Sequence, residues 1–203
     1  MALAPERIVE VALELLNEIG LDALSTRRLA EALDVKGPSL YHHFQNKSDL
    51  LGQMAVAMLT QSLADLDTSV SWDQWLRDLA NGTRRVILKY RDGARILASS
   101  SLNEVMRTAI IPAVERPLIE AGFPEEAAAE VVSLMASFVI GHTINEQNKV
   151  IRAYMASIMD VERSFAFCVE TIILGVGQRV ATRRWDDPKI ALSRPKAAKR
   201  RTA

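Results

Sequence analysis

The sequence predicts an all-α fold, on two observations. Apolar residues recur at steps of three and four over long stretches, as on one face of an amphipathic helix, and the alternation typical of half-buried strands is nearly absent. Glycine and proline interrupt the helical pattern, for example at Gly20, Gly37-Pro38 and Gly122. We therefore expect a small N-terminal helical module followed by a larger helical body.

The N-terminal module is expected to hold three helices. The first carries an apolar face and ends at Gly20. Ser25 is suited to cap a second helix, Thr26 to Leu33, and Pro38 is suited to the first turn of a short third helix that runs to about Phe44. The spacing of these signals indicates two short helices joined by a tight turn.

The larger body follows a connecting helix that starts at Asn46 or Ser48 and continues to about Leu66. Asp67-Thr68-Ser69 is the best candidate for a break after it. Breaks are also expected at Asp92-Gly93, at Gly122-Phe123-Pro124 and around Ile151 to Met159. The further helices predicted are Trp72 to Tyr90, Ala94 to Ala98, Asn103 to Ala121, Pro124 to Asn148 and Asp160 to Arg184.

Composition places the chain among soluble globular proteins, with 49% hydrophobic and 25% charged residues. A single cysteine, Cys168, cannot form an internal disulfide, which favours a reducing compartment. Polar residues interrupt the best apolar run, Val131 to Ile144, before it reaches the ~18 residues that a membrane span needs. The N-terminus lacks the order of a signal peptide. We expect a cytoplasmic protein with no membrane partner.

The formal net charge is zero, with 25 basic and 25 acidic residues, but the charges are unevenly distributed. Residues 183–203 carry eight cations against two anions. Few apolar residues occur there, so residues 185–203 are expected to form a disordered basic tail. The neutral total therefore does not exclude nucleic acid as a partner.

The most informative segment is Ser25 to Lys47, which reads as a helix-turn-helix. Its second helix is suited to the major groove of DNA. The segment holds four cations against two anions. Arg27 and Arg28 offer forked donors to guanine or phosphate, and Lys47 suits a phosphate. The alternative is an ordinary helical hairpin with solvated charges.

These motifs resemble the tetracycline-repressor (TetR) family of bacterial transcription regulators. The N-terminal resemblance rests on Ala12 to Gly20, Thr26-Arg-Arg-Leu-Ala30 and Leu40-Tyr-His-His-Phe-Gln-Asn-Lys47. In the second domain, Ser71 to Arg77 and Tyr90 to Ala94 resemble the tetracycline repressor's own subclass. With Gly122-Phe123 and the segment Phe138 to Gly141, the resemblance spans about Ile8 to Val180.

The resemblance implies an N-terminal three-helix DNA-binding domain with helix-turn-helix, plus a larger helical ligand-binding and dimerisation domain. We place them at residues 1–50 and 51–184. It also implies a homodimer that covers double-stranded operator DNA and releases it when a small-molecule effector binds. Gly37 stands where the tetracycline repressor has a base-reading amide side chain, so the operator should differ. The DNA-contact candidates are Thr26, Arg27, Arg28, Lys36, Gly37, Pro38, Ser39, Tyr41, His42 and Lys47.

The ligand pocket departs from the tetracycline repressor, in which polar and aromatic side chains hold the drug and an imidazole binds its magnesium. The positions similar to those groups hold leucines and Thr83, with Asn145 in place of a carboxylate. Leucine offers magnesium no lone pair. We therefore predict an apolar effector with no metal and no cofactor. The lining candidates are Leu63, Leu79, Thr83, Leu97, Ser100, Met106, Met135, Phe138 and His142, for which plain core packing is the alternative.

Other features argue against an enzyme and for a dimer. We find no nucleophile elbow, no phosphate-cradling glycine loop and no metal-ligand pair at i, i+4 in the sequence. Adjacent His42 and His43 would point about 100° apart on a helix, which disfavours a shared metal. The last two long helices carry too many apolar residues for one buried stripe, which suggests a partner. A transcriptional activator and a helical small-molecule-binding protein without DNA function remain the alternatives.

Overall fold

In a computed structural model of the chain, the described residues are 4–40, 42–100 and 103–182. Helices dominate these residues, and no strand occurs among them. Three helices build the N-terminal head: α1 (Pro5–Ile19), α2 (Thr26–Ala32) and α3 (Gly37–Leu40). The long helix α4 (Lys47–Leu63) leaves the head and enters the body. The sequence prediction of an all-α fold is confirmed.

The body consists of six helices in the described residues. They are α5 (Trp72–Lys89), α6 (Gly93–Ser99), α7 (Ile111–Glu120), α8 (Glu125–Gln147), α9 (Lys149–Ile158) and α10 (Val161–Thr182). Helix α4 packs against α1 in the head and against α5 and α6 in the body, and α5 packs against α8 and α10. Helix α4 therefore packs against both parts of the molecule.

Side-chain caps fix the starts of two head helices where the sequence expects them. The Ser25 hydroxyl accepts a hydrogen bond from the Arg28 backbone N–H at 3.3 Å. The Asn46 side-chain oxygen accepts one from the Asp49 N–H at 3.0 Å. Each cap satisfies an N–H group that has no partner within its own helix.

Helix α9 corrects the prediction of a break around Ile151 to Met159. Residues Lys149–Ile158 are helical, and the chain interrupts its helices at Asn148 and again at the extended Met159. The extended Asn148 caps α9, because its side-chain oxygen accepts hydrogen bonds from the N–H groups of Val150 and Ile151. None of the α9 residues is buried. Sequence reasoning missed this helix because no glycine or proline marks its start.

A π-helical turn, Met106–Ile110, lies where the sequence predicts an ordinary helix from Asn103 to Ala121. The Ile111 N–H donates to the Met106 carbonyl, five residues back. Pro112 follows, and it has no N–H with which to continue the usual ladder. The wider turn rotates the side chains of α7 relative to those that precede it, as such turns often do near functional sites.

One apolar core runs through head and body. Phe44 of the head, Met54 and Met58 of α4 and Trp75 of α5 are almost fully buried. The Trp75 indole N–H donates to the Val114 carbonyl at 3.2 Å, so the ring is both packed and hydrogen-bonded. The division at residues 50 and 51 falls inside α4 and stays a prediction. The expected tail, residues 185–203, lies outside the described residues.

Helices α8 and α10 are the most apolar elements of the described chain. By length and composition alone, each is long and apolar enough to cross a membrane. Only 33% of the most apolar window of α8 and 22% of that of α10 is buried within the chain. Leu134, Phe167 and Leu174 are among the large apolar side chains that stay exposed. These two helices therefore leave an apolar surface that one subunit does not cover.

Candidate nucleic-acid interface and ligand cavity

The helix-turn-helix of the head is held together by a small buried seam. Leu29 of α2 and Leu40 of α3 are fully buried. Between the helices, the Val35 N–H donates to the Ala30 carbonyl at 3.0 Å. Asp34 makes the turn with a backbone φ of +53°, a conformation that aspartate tolerates better than most residues. The seam leaves the other faces of α2 and α3 open.

Most of the side chains predicted to contact DNA are exposed. Arg27, Arg28, Lys36, Pro38, Ser39, His42 and Lys47 are exposed, and Thr26 and Gly37 are half-buried. Tyr41 lies outside the described residues. The Arg27 side chain is 89% exposed, and its Nε lies 3.0 Å from Glu31 on the same helix. An ion pair this exposed contributes little stability, so the guanidinium can exchange it for a phosphate or a base edge.

Gly37 is the first residue of α3, and the space next to its Cα is open. A Cβ atom built at this position meets no atom within 4 Å. The absence of a side chain is therefore not required by packing within the chain. A longer side chain here would project from the start of α3.

A cavity of about 420 Å³ lies inside the body, within the usual size range for small-molecule sites. Helices α4 to α8 and the π-helical turn contribute its wall. Six predicted lining residues are found there: Leu79, Thr83, Leu97, Ser100, Met106 and Met135. Most of the wall is aliphatic, so it suits an apolar molecule.

Three of the predicted lining residues lie elsewhere. Leu63 is half-buried against the core but does not line the cavity. Phe138 and His142 stack with Phe165 of α10, at ring-centroid distances of 5.4 and 5.1 Å. Asn145 is half-buried and also outside the wall. The structure thus separates an inner stripe of α8, which faces the cavity, from a neighbouring stripe that faces α10.

His142 sits beside a buried charge network. Its Nε2 lies 3.4 Å from a Glu146 carboxylate oxygen and makes no hydrogen bond in the described part of the chain. Burial lowers the pKa of His142, while Glu146 pulls it up and Arg84 pushes it down. Arg84 donates to Glu146 at 2.7 and 2.8 Å and to Glu162 at 2.6 and 2.7 Å. These contacts tie α5 to α8 and α10.

Both parts of the molecule match models of known protein families. Residues 8–54 match the model of "Bacterial regulatory proteins, tetR family". Residues 66–154 match the model "Tetracyclin repressor-like, C-terminal domain". The chain belongs to the tetR family.

Individual relatives agree with this membership. The tetracycline repressor protein class A from transposon 1721 of Escherichia coli is 41% identical over 150 residues, which cover 71% of this chain and 68% of that protein. A solved structure of a TetR variant from Acinetobacter baumannii AYE in complex with minocycline is 35% identical. It covers 87% of this chain and 97% of that one, with a TM-score of 0.73.

A third relative carries nucleic acid. BioQ with its double-stranded DNA operator is 27% identical, with a TM-score of 0.67, and the match covers 86% of this chain and 98% of that one. As a tetR-family member, the chain is a ligand-responsive DNA-binding repressor that functions as a dimer. Its head is the DNA-binding domain, and its body is the ligand-binding domain.

The two domains of this tetR-family chain touch where α1 ends and α6 begins. Arg95 of α6 pairs with Asp22 at 2.7 Å, which lowers the pKa of that carboxyl. The Arg91 N–H donates to the Asn17 side-chain oxygen at 2.7 Å. Gly20 has a backbone φ of +77°, which favours glycine, and a Cβ there would lie 2.9 Å from the Nε at the flexible end of Arg91. Sequence reasoning missed these contacts, because the paired residues lie more than seventy positions apart.

Proposed function

We propose that this repressor uses two heads, one per subunit, to read a palindromic operator, and that a small apolar effector releases it without a metal. The observation that carries the proposal is the course of α4. The helix begins at Lys47, directly after the head, and places Leu59 in the cavity wall, twelve residues and about 18 Å further along. A molecule in the cavity therefore touches the helix that supports the head.

The heads are proposed to work as a spaced pair. Two recognition helices reach successive major grooves when they lie about 34–36 Å apart. An effector that favours a different tilt of α4 changes this distance and lowers operator affinity, to the extent that it prefers that tilt. The proposed DNA contacts are Thr26, Arg27, Arg28, Lys36, Gly37, Pro38, Ser39, Tyr41, His42 and Lys47.

The effector is proposed to bind without a metal ion. The described residues contain no group of three or more histidine, cysteine, aspartate or glutamate side chains suited to a metal. Leu79 and Leu97 line the cavity, and a leucine side chain offers a metal no lone pair. Apolar walls with hydroxyls at Thr83 and Ser100 support recognition by shape and by one or two hydrogen bonds.

The dimer interface is proposed to lie on α8 and α10. The exposed side chains Leu134, Phe167 and Leu174 would be covered when the same two helices of a second subunit pack on them. Burial in such a four-helix interface accounts for apolar helices that are exposed in one chain. Because the chain belongs to a family of transcription regulators, we also propose that it is cytoplasmic and non-catalytic.

Operator binding can be tested by gel shift on the promoter upstream of the protein's own gene. We expect Arg27→Ala and Tyr41→Ala to weaken binding by ten- to a hundredfold, as loss of a base or phosphate contact does. The control is Arg7→Ala, which removes an exposed arginine of α1 that pairs only locally with Glu10. Unchanged affinity in both head variants would refute the assigned reading surface.

Salt dependence and transcription separate the alternatives. A DNA-binding repressor loses affinity steeply with salt, with a slope of about −0.9 per phosphate contacted. A small-molecule-binding protein without DNA function shows no such slope. An activator would be recognised by lower, not higher, transcription of the target after deletion of the gene.

A further inference from the structure

Glu115 of α7 is the only charged side chain among the described residues that line the cavity. It is half-buried. No hydrogen bond or ion pair joins it to another residue in the described part of the chain, although the neighbouring Arg116 pairs with Glu120 at 2.6 Å. The cavity thus contains one carboxylate without a partner.

The chemistry of the wall defines what would pair with this carboxylate. No described lining residue is basic or aromatic, so no side chain there compensates the negative charge. A carboxylate next to apolar walls loses part of its hydration and gains from a positive group brought by a ligand. A magnesium ion prefers several oxygen ligands in octahedral geometry, and one carboxylate does not supply them. An organic cation with a single charge fits better.

The wall combines exposed and buried residues. Ala129, Ser133 and Ala136 of α8 line the cavity and are exposed. Leu79 and Met135 line it and are buried. A ligand with one charged group and an apolar part matches a single half-buried carboxylate in an otherwise uncharged and mostly apolar wall.

We propose that the effector is an amphiphilic organic monocation, such as a quaternary or protonated amine, whose head pairs with Glu115. Its apolar part lies against Leu79, Leu97 and Met135. The inference rests on the proposed ligand-responsive function and narrows its apolar effector to a largely apolar molecule that carries one positive charge. Glu115 sets specificity by charge, while the aliphatic wall sets it by size.

The test compares two soluble probes of similar shape by titration calorimetry on the intact chain without DNA. The cation is 4-phenylbutyl(trimethyl)ammonium, used with its two- and six-methylene homologues, and the neutral probe is N,N-dimethyl-5-phenylpentanamide. We expect at least one cation to bind ten- to a hundredfold more tightly than the amide, the range for a hydrogen bond or pair with a charged group.

Variants of α7 assign this preference to one residue. Glu115→Gln should bring cation and amide to similar affinity, and Glu115→Asp should retain most of the preference. The control is Glu120→Gln, which lies on the same helix outside the cavity and should behave as wild type. No cation preference in the wild type, or an unchanged preference in Glu115→Gln, overturns the inference.

The outcomes are separable from those of the proposed function. Glu115 could instead pair with a basic group of a second subunit. In that case Glu115→Gln would dimerise more weakly in sedimentation and the wild type would show no cation preference. This result would overturn the inference about the effector and leave the repressor proposal unaffected. Operator binding is measured separately by gel shift. Loss of operator binding with an intact, Glu115-dependent cation preference overturns the repressor proposal and leaves the site standing.

Discussion

The carboxylate of Asp92 accepts a hydrogen bond from the backbone N–H of Leu21 at 3.0 Å. Asp92 precedes α6 with a backbone φ of +58°, and Leu21 follows α1 in the head. The carbonyl of the same Leu21 lies 3.4 Å from the Lys47 ammonium at the start of α4. Helix α6 places Leu97 and Ser100 at the cavity wall. A short, direct path of bonds therefore joins the cavity to the head.

Asp92→Asn is expected to loosen this joint without straining the turn. Asparagine tolerates positive φ and has the same size, but it is a weaker acceptor than a carboxylate. The Leu21 amide should exchange its hydrogen about tenfold faster, as loss of a charged hydrogen bond implies. Hydrogen exchange measures this directly. Glu10→Gln, on the far side of α1, is the control, and equal protection of Leu21 in wild type and Asp92→Asn would contradict the expectation.

Gly37→Gln should change which operator the protein prefers. The new side chain projects into open space at the start of α3, and glutamine pairs well with adenine in the major groove. Preference at one base pair of each half-site should shift by about 1–3 kcal/mol. Selection from randomised operators measures the shift.

Gly37→Ala separates base reading from helix stability. Alanine should stabilise α3 by up to about 1 kcal/mol, as replacement of a helical glycine does, and leave the operator preference unchanged. If Gly37→Gln and Gly37→Ala select the same operators as wild type, position 37 does not face the bases.

The head could be predicted from sequence because its signals are local. Ser25 and Asn46 are residue types that cap helices, and both do so. The cavity wall was predictable only in part. Met135 and Val139 are four residues apart on the stripe of α8 that faces the cavity, whereas Phe138 and His142 occupy the adjacent stripe. Periodicity shows that both stripes are apolar, but not which one a cavity adjoins.

Contacts between distant segments were beyond the sequence. Nothing local marks Asp92 as the partner of Leu21, since the pair spans 71 positions. Glu115 faces the cavity on a helix that follows a π-helical turn, and a regular helical count through Met106–Ile110 misplaces its side chain. These features depend on tertiary packing and backbone irregularity, which composition and spacing do not encode.

Magnesium should not be needed for a ligand to release the protein from its operator, and it should not make tetracycline such a ligand. Leu79 and Leu97 line the cavity, and neither side chain has a nitrogen or oxygen atom that could coordinate magnesium. Tetracycline should leave operator affinity, measured by fluorescence anisotropy, unchanged both in chelator and in millimolar magnesium, each compared with the same buffer without tetracycline. Magnesium-dependent release by tetracycline would contradict the metal-free effector.

Arg84→Met should destabilise the body strongly. The change leaves Glu146, whose side chain is 6% exposed, without its guanidinium partner. Breaking a buried pair from one side costs about 3–5 kcal/mol. Chemical denaturation measures the loss.

The double variant Arg84→Met/Glu146→Leu should recover much of this stability, because it removes the stranded charge as well. Arg116→Met, which breaks an exposed pair with Glu120, should cost under about 1 kcal/mol and is the control. A double variant as unstable as Arg84→Met would show that the arginine stem, and not the charge pairing, holds the three helices.

Acidification should destabilise the protein through His142. Burial favours the neutral imidazole and lowers the pKa of His142 in the folded state, with Glu146, Arg84 and Glu162 as the charged groups around it. The unfolded chain titrates near pH 6.5 and binds the proton first as pH falls. Stability from the neutral form is therefore complete above about pH 6.5 and is lost as pH drops towards the folded pKa.

Melting temperatures at pH 7.5, 6.5 and 5.5 measure this loss, and His142→Gln should show less of it than wild type. The carboxyls of Asp22, Asp73 and Glu162 have lowered pKa values, so they take up protons only in more acidic solution than this pH range. The loss of stability between pH 7.5 and 5.5 therefore reports on the imidazole and not on these carboxyls. His42→Gln removes an exposed imidazole of the head and should keep the wild-type pH dependence. If the melting temperature changes with pH in the same way in wild type and His142→Gln, protonation of the buried imidazole is not the cause of the acid destabilisation.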